Sequence, residues 1–126
     1  EQHNFPVIGI VDDENRLMGF GSYGQFRLRP AYKYTIENSV YVHRDHRGKG
    51  LGKLLLQEII KHAIAQDYHA IIGVIDATNK VSIGLHRQLG FEEVGTFKQV
   101  GFKFDQWLDA VFMQLILPTP QHPVGE

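Results

Sequence analysis

The stretch that most constrains this chain is Ser39 to Gln66, above all Arg47-Gly48-Lys49-Gly50-Leu51-Gly52. Before it, Ser39-Val40-Tyr41-Val42 is β-branched and aromatic and reads as a strand. After it, Leu51-Gly52-Lys53-Leu54-Leu55-Leu56-Gln57-Glu58-Ile59-Ile60 reads as a helix. A strand, a glycine-rich turn and a helix start together make an anion site. The first helical N–H groups lack intrahelical partners, and the dipole there favours negative charge. Glycine lets the backbone approach a ligand closely. Arg47 and Lys49 add two cations, so the expected ligand is a phosphate or pyrophosphate.

Two common nucleotide motifs fail here. A P-loop counted from Gly48 needs its second glycine at position 53, which is Lys53. A dinucleotide fingerprint fits Gly48 and Gly50 and then fails at the same lysine. The pattern R-x-x-G-x-G does fit, through Arg47, Gly50 and Gly52. It resembles the acyl-CoA pyrophosphate loop of the GNAT N-acetyltransferase superfamily. A glycine-rich helix start with no ligand is the plainer alternative.

The 126 residues suffice for one domain with a core, and are too few for two. A net charge of -1 argues against general nucleic-acid binding. The chain has no cysteine, which excludes a disulfide framework, a thiolate metal site and a cysteine nucleophile. No apolar run approaches a membrane span and no signal-peptide pattern opens the chain, so a cytoplasmic protein is expected.

Phe5–Val11 and Arg16–Tyr23 read as a β-hairpin around a polar turn at Asp12-Asp13-Glu14-Asn15. Pro30 breaks regularity in Phe26–Tyr32, which reads as a loop or short irregular strand. Tyr34–Val42 runs extended. The helix from about Gly50 to Gln66 shows a wide apolar arc of Leu51, Leu54, Leu55, Ile59 and Ala63, flanked by Leu56 and Ile60. Lys53, Gln57 and Lys61 form its polar stripe. His69–Ile75 reads as a buried parallel strand, which closes a right-handed βαβ unit. Lys80–Leu89 is a short helix capped by Asn79 or Thr78 and stopped at Gly90. Phe91–Lys103 and Trp107–Leu117 form a final antiparallel pair. The organisation is one domain over residues 1–117 and a loose tail over 118–126.

The resemblance extends beyond the loop. Asn79-Lys80-Val81-Ser82-Ile83-Gly84-Leu85-His86-Arg87-Gln88-Leu89-Gly90-Phe91 is similar to the second cofactor motif of the same superfamily. Gln99-Val100-Gly101-Phe102-Lys103-Phe104 and Trp107-Leu108-Asp109 resemble one branch of it, the phosphinothricin and methionine-sulfoximine acetyltransferases. Arg29, Tyr32, Thr35 and Glu37 match that branch ahead of the Ser-Val-Tyr-Val strand. The resemblance implies an α/β fold with a central twisted mixed sheet and helices on its faces. It also implies a strand and two helices ahead of the first hairpin, so the domain is expected to be N-terminally incomplete.

Further expectations rest on this resemblance. Acetyl-CoA is the implied cofactor, held by Arg47, Gly48, Lys49, Gly50, Leu51, Gly52 and Lys53. The strand before the loop should splay from its parallel neighbour, with pantetheine paired along Val40, Tyr41 and Val42. An N–H near Val42 would polarise the thioester carbonyl. Asn79 and Ser82 would contact the pantetheine arm, and Asn79 has a capping explanation as well. Arg29, Pro30, Ala31, Tyr32 and Thr35 would line the acceptor pocket, with Arg29 or Arg27 binding a carboxylate. A solvated basic loop is the alternative.

Glu37 is the candidate general base, because an amine is mostly protonated near neutral pH. A solvent-facing strand glutamate is the alternative. His86 stands where many relatives carry a tyrosine that protonates the thiolate, and histidine can do this near neutral pH. The alternative is a histidine on the helix surface. No histidine spacing suggests a metal. Trp107, Phe102 and Phe104 read as core or as the interface of a homodimer. The expected activity is acetyl transfer to a small amino-acid-like amine. The competing readings are a CoA-binding module with little catalysis, and acetylation of a protein or polyamine.

Overall fold

A computed structural model describes residues 7–25, 30–43, 46–48 and 50–125, without the side chains of Gln25 and Pro30. The element order is β1 Val7–Val11, β2 Leu17–Gln25, β3 Thr35–Val42, α1 Leu51–Ala65, β4 Ala70–Asp76, α2 Lys80–Gln88, β5 Glu92–Lys103 and β6 Gln106–Ile116. A short 3-10 turn, Pro30–Tyr32, precedes β3. One mixed sheet runs in the order β1-β2-β3-β4-β6-β5. Only β3 and β4 pair in parallel within it. This is the mixed α/β sheet expected from the sequence.

Strand alternation decides which residues meet the helices. Ile36 and Asn38 of β3, Ile71 and Ile75 of β4, and Val111 and Met113 of β6 are buried. The apolar ones share a core with Leu56, Ile59 and Ala63 of α1 and Ile83 of α2. Glycines let α1 lie close to β2. A Cβ on Gly21 would stand 3.0 Å from Ile59 Cδ1, and one on Gly19 would stand 2.8 Å from the Tyr41 carbonyl. Among the described residues, the opposite face of the sheet carries no helix.

The apolar arc of α1 is narrower than the sequence suggested. Leu55, Leu56, Ile59 and Ala63 are buried, while Leu54 is 46% exposed. One face meets the sheet, and 100° per residue turns Leu54 away from it.

The segment after Leu117, expected to be loose, is hydrogen-bonded at several points. The Thr119 hydroxyl donates to the Tyr68 carbonyl, and the Thr119 carbonyl lies 2.8 Å from His69 Nδ1. Val124 N–H donates to Tyr34 Oη at 2.8 Å. The side chains of Thr119, His69 and Tyr34 take part in these bonds, and the segment's proline content could not reveal them.

Candidate functional site: a fork in the sheet

The site begins where two strands part. β3 and β4 pair in parallel from Thr35↔Ala70 to Asn38↔Gly73 and no further. Both strands continue, β3 to Val42 and β4 to Asp76. Beyond the last rung lies a cleft of about 140 Å³, lined by Ser39, Val40, Val74, Asp76, Asn79 and Ser82, with Asn38 and His86 at its root. The expected splay is present, and it brings Val40, Asn79, Ser82 and His86 together.

The hydrogen-bond phase of β3 shows what faces this cleft. His43 N–H donates to the Met18 carbonyl on the β2 side at 2.7 Å, whereas the Tyr34 carbonyl accepts from Ala70 N–H on the β4 side. Backbone groups alternate in direction along a strand. Odd-numbered residues of β3 therefore bond to β2. The N–H and C=O groups of Val40 and Val42 point to the side where β4 has moved away. The Val42 carbonyl accepts from Arg47 Nε at 3.3 Å, which draws the loop back onto the strand end.

The turn then presents its backbone outward. Gly48 and Gly50 have φ of +83° and +78°, and nothing stands within 4 Å of a Cβ at either position. This left-handed backbone suits glycine and strains other residues. Gly50 caps α1 with no side-chain bond, and the first turn holds no acidic residue. Leu54 N–H makes the first helical bond, to the Gly50 carbonyl at 3.1 Å. The N–H groups of residues 51–53, Lys53 among them, are those that a helix start leaves without intrahelical partners and can offer to an anion. This open cradle beside the cleft fits the diphosphate and pantetheine of an acyl-CoA. Gly52 has a second role, since a Cβ there would stand 3.1 Å from Leu85 Cδ2 and hold α2 away from α1.

On the far side of β3 lies a second cleft of about 360 Å³, lined by Ser22, Tyr23, Gly24, Glu37, Asn38 and Ser39. Glu37 is exposed there, opposite Gly24 across the β2–β3 ladder. Burial pushes the Tyr23 phenol up to about 12, with the neighbouring Tyr68 adding to it, so Tyr23 stays protonated. Tyr23 Oη donates to Gln66 Oε1. Glu37 is thus the carboxylate available in this cleft among the described residues.

His86 is 3% exposed, so it is not a helix-surface side chain. Its Nδ1 lies 2.8 Å from the Ser82 carbonyl and its Nε2 lies 3.2 Å from Asn38 Nδ2. Burial lowers its pKa and favours the neutral ring, and the bond to the Ser82 carbonyl partly opposes this. Phe91 packs edge-on against it at 4.8 Å between ring centroids. Asn79 Oδ1 accepts from Ser82 N–H at 3.1 Å, so it does cap α2 as expected.

Other expected site residues fall elsewhere. Tyr41 turns its ring to the helix-free face, where it packs on Phe20 at 5.5 Å. Only its backbone belongs to the β3 edge. Ala31, Tyr32 and Thr35 line neither cleft. Arg27, Arg29 and Lys49 lie outside the described residues, as does the side chain of Pro30.

Asn38, Ser39, Ser22 and Asp76 also line the clefts, and no sequence motif singles them out. Asn38 left a usable signal, a polar residue between Ile36 and Val40 on the face that should be apolar. Asp76 sits at the cleft beside Thr78, whose backbone N–H and hydroxyl hold its carboxylate below the usual range.

The comparisons with known proteins agree with this geometry. The acetyltransferase (GNAT) family pattern matches residues 1–91. The L-methionine sulfoximine/L-methionine sulfone acetyltransferase of Pseudomonas aeruginosa is 46% identical over 123 residues, covering 97% of this chain and 72% of that protein. A solved protein of Acinetobacter baylyi ADP1 superposes with a TM-score of 0.93 at 55% identity, covering 98% of this chain and 70% of that one. A Sinorhizobium meliloti phosphinothricin acetyltransferase solved with acetyl-CoA has a TM-score of 0.85 at 40% identity, covering 90% and 61%. The forked sheet, the open helix start and these likenesses lead to one conclusion: the chain belongs to the acetyltransferase (GNAT) family.

Proposed function

We propose that this chain transfers an acetyl group from acetyl-CoA to the amine of a small amino-acid-like acceptor, of the methionine sulfoximine or phosphinothricin type. The observation that carries this reading is the fork itself. Strands β3 and β4 separate after Asn38↔Gly73, beside a helix start with no side-chain cap, with Glu37 on the other side of β3. The names of the relatives support the acceptor class.

Acetyl-CoA supplies an acetyl thioester that a neutral amine can attack. Gly48, Gly50 and the N–H groups at the start of α1 hold its diphosphate. The edge of β3 at Val40 and Val42 orients the arm and offers N–H donors to the carbonyl. Glu37 takes the proton from the acceptor's ammonium in the second cleft, directly or through water. Arg29 is our candidate for an acceptor carboxylate. The amine's attack forms the amide C–N bond as the thioester C–S bond breaks. We assign the proton for the departing CoA thiolate to solvent rather than to His86, whose Nδ1 lies 2.8 Å from the Ser82 carbonyl.

We further read the protein as a cytoplasmic homodimer. Among the described residues no helix is long and apolar enough to cross a membrane. The β5–β6 hairpin exposes Phe102, Phe104 and Trp107, the last two 83% and 63% exposed. Apolar surface of this kind suits a second copy of the chain.

The test is CoA release from acetyl-CoA with methionine sulfoximine, phosphinothricin, spermidine and a lysine-containing peptide as acceptors. Release with the first two supports the reading. Release only with the polyamine or peptide replaces the acceptor class. Acetyl-CoA binding without release to any acceptor would leave a CoA-binding module.

A further inference from the structure

We propose that Asn38 and His86 form a strut that sets the opening of the fork, with Asn38 as a positioning residue and His86 acting through its shape rather than through a proton. The proposal rests on the acetyl-transfer reading only for its kinetic arm.

The Ser82 carbonyl can only accept, so His86 Nδ1 carries the hydrogen at 2.8 Å. In the neutral ring Nε2 then bears a lone pair. Asn38 Nδ2, 3.2 Å away, donates to it. Both ring nitrogens are therefore engaged inside the protein.

The place of this pair matters as much as its bonds. Asn38↔Gly73 is the last rung of the parallel ladder. A Cβ on Gly73 would stand 3.0 Å from His86 Cδ2, 3.1 Å from Nε2 and 3.3 Å from Asn38 Oδ1. Glycine at this rung makes room for the imidazole to lie over β4 and reach across to β3. Phe91 closes the other side of the ring. The side-chain bond thus takes over where the backbone ladder stops, tying α2 and β3 at a fixed spacing.

Among the described residues, the surroundings hold few charges that could change this state. Asn38 faces the ring from β3, while Glu37 points to the other cleft. From β4 the ring meets Gly73, with Asp76 further along the cleft. On α2 itself Arg87 is exposed and pairs with Glu93 of β5 at 3.3 Å.

The test compares Asn38→Leu, which keeps the shape and loses the donor, with His86→Gln, which keeps hydrogen-bonding capacity. Acetyl-CoA affinity by calorimetry and kcat against pH are read for both, with thermal melts as a control for folding. For Asn38→Leu the expected result is acetyl-CoA affinity about tenfold weaker, from one lost buried hydrogen bond. His86→Gln, which can still accept from Asn38 and donate to the Ser82 carbonyl, should bind acetyl-CoA with most of the wild-type affinity and keep both limbs of the pH profile. Nitrogen-15 spectra of the wild type should show His86 as the neutral Nδ1–H form with acetyl-CoA bound. Loss of the alkaline limb in His86→Gln would overturn the strut and make His86 a proton donor. Unchanged acetyl-CoA affinity in a folded Asn38→Leu would overturn it too. If Asn38→Leu fails to fold, the spectra and His86→Gln decide alone. Calorimetry needs no turnover, so absence of transfer to every acceptor would count against the proposed function and leave the strut standing.

Discussion

Asn38 and Gly73 are the last partners in the parallel ladder between β3 and β4, and the His86 imidazole occupies the room that Gly73 leaves. One rung thus separates a bonded sheet from an open cleft. The two clefts meet at this point, because Asn38 and Ser39 line both of them.

The loop offers the first prediction. Gly50 caps α1 at a φ of +78° with open space around its Cβ position. Gly50→Val should cost at least about 1–2 kcal/mol of stability through backbone strain. Its side chain would project toward the anion, so CoA affinity measured by calorimetry should fall beyond detection while the fold persists. Unchanged affinity would remove the loop from the site.

Packing on α1 offers a sharper contrast. Leu55 is fully buried and its neighbour Leu54 is 46% exposed. Leu55→Ala should cost about 2–5 kcal/mol in denaturant unfolding, and Leu54→Ala should stay within about 0.5 kcal/mol. Equal costs would show that α1 is rotated relative to the sheet.

Glu37→Gln keeps shape and removes basicity. Its kcat should fall by about 10²–10⁴-fold, with the KM for acetyl-CoA nearly unchanged and the acidic limb of the pH profile flattened. Near-full kcat with an unchanged profile would place the base elsewhere.

The buried histidine links stability to pH. Burial lowers the folded-state pKa of His86 below the ordinary 6.5. Below pH 6.5 the unfolded chain therefore binds this proton more readily than the folded one. Stability rises with pH wherever the unfolded state holds more protons. The contribution of neutral His86 is complete above 6.5 and is lost as pH falls toward the folded value. Melting temperature should drop between pH 7 and pH 5, and His86→Gln should flatten part of that slope. An equal slope in the variant would assign the pH dependence to other groups.

Much of this was legible in the chain, for identifiable reasons. Alternation and glycine spacing located β3, the turn and α1 to within a residue or two, because local chemistry decides them. Asn79 announced itself as a cap. Asn38 and His86 were harder, since their partnership joins positions 48 residues apart. The exposure of Leu54 depends on how α1 meets β2 at Gly19 and Gly21, which no local pattern encodes. Tyr41 was placed by its backbone, and only the alternation of β3 tells that its ring faces the other way.

Amide exchange is the most direct test of an acetyl donor bound along the free edge of β3. Hydrogen exchange at Val40 and Val42 should be followed by nuclear magnetic resonance with and without acetyl-CoA. The Val40 N–H, which faces the fork, should gain protection on binding, and Ser39 and Tyr41, already bonded to β2, should change little. Saturating acetyl-CoA that leaves Val40 exchange unaltered would contradict the placement of the donor in the fork.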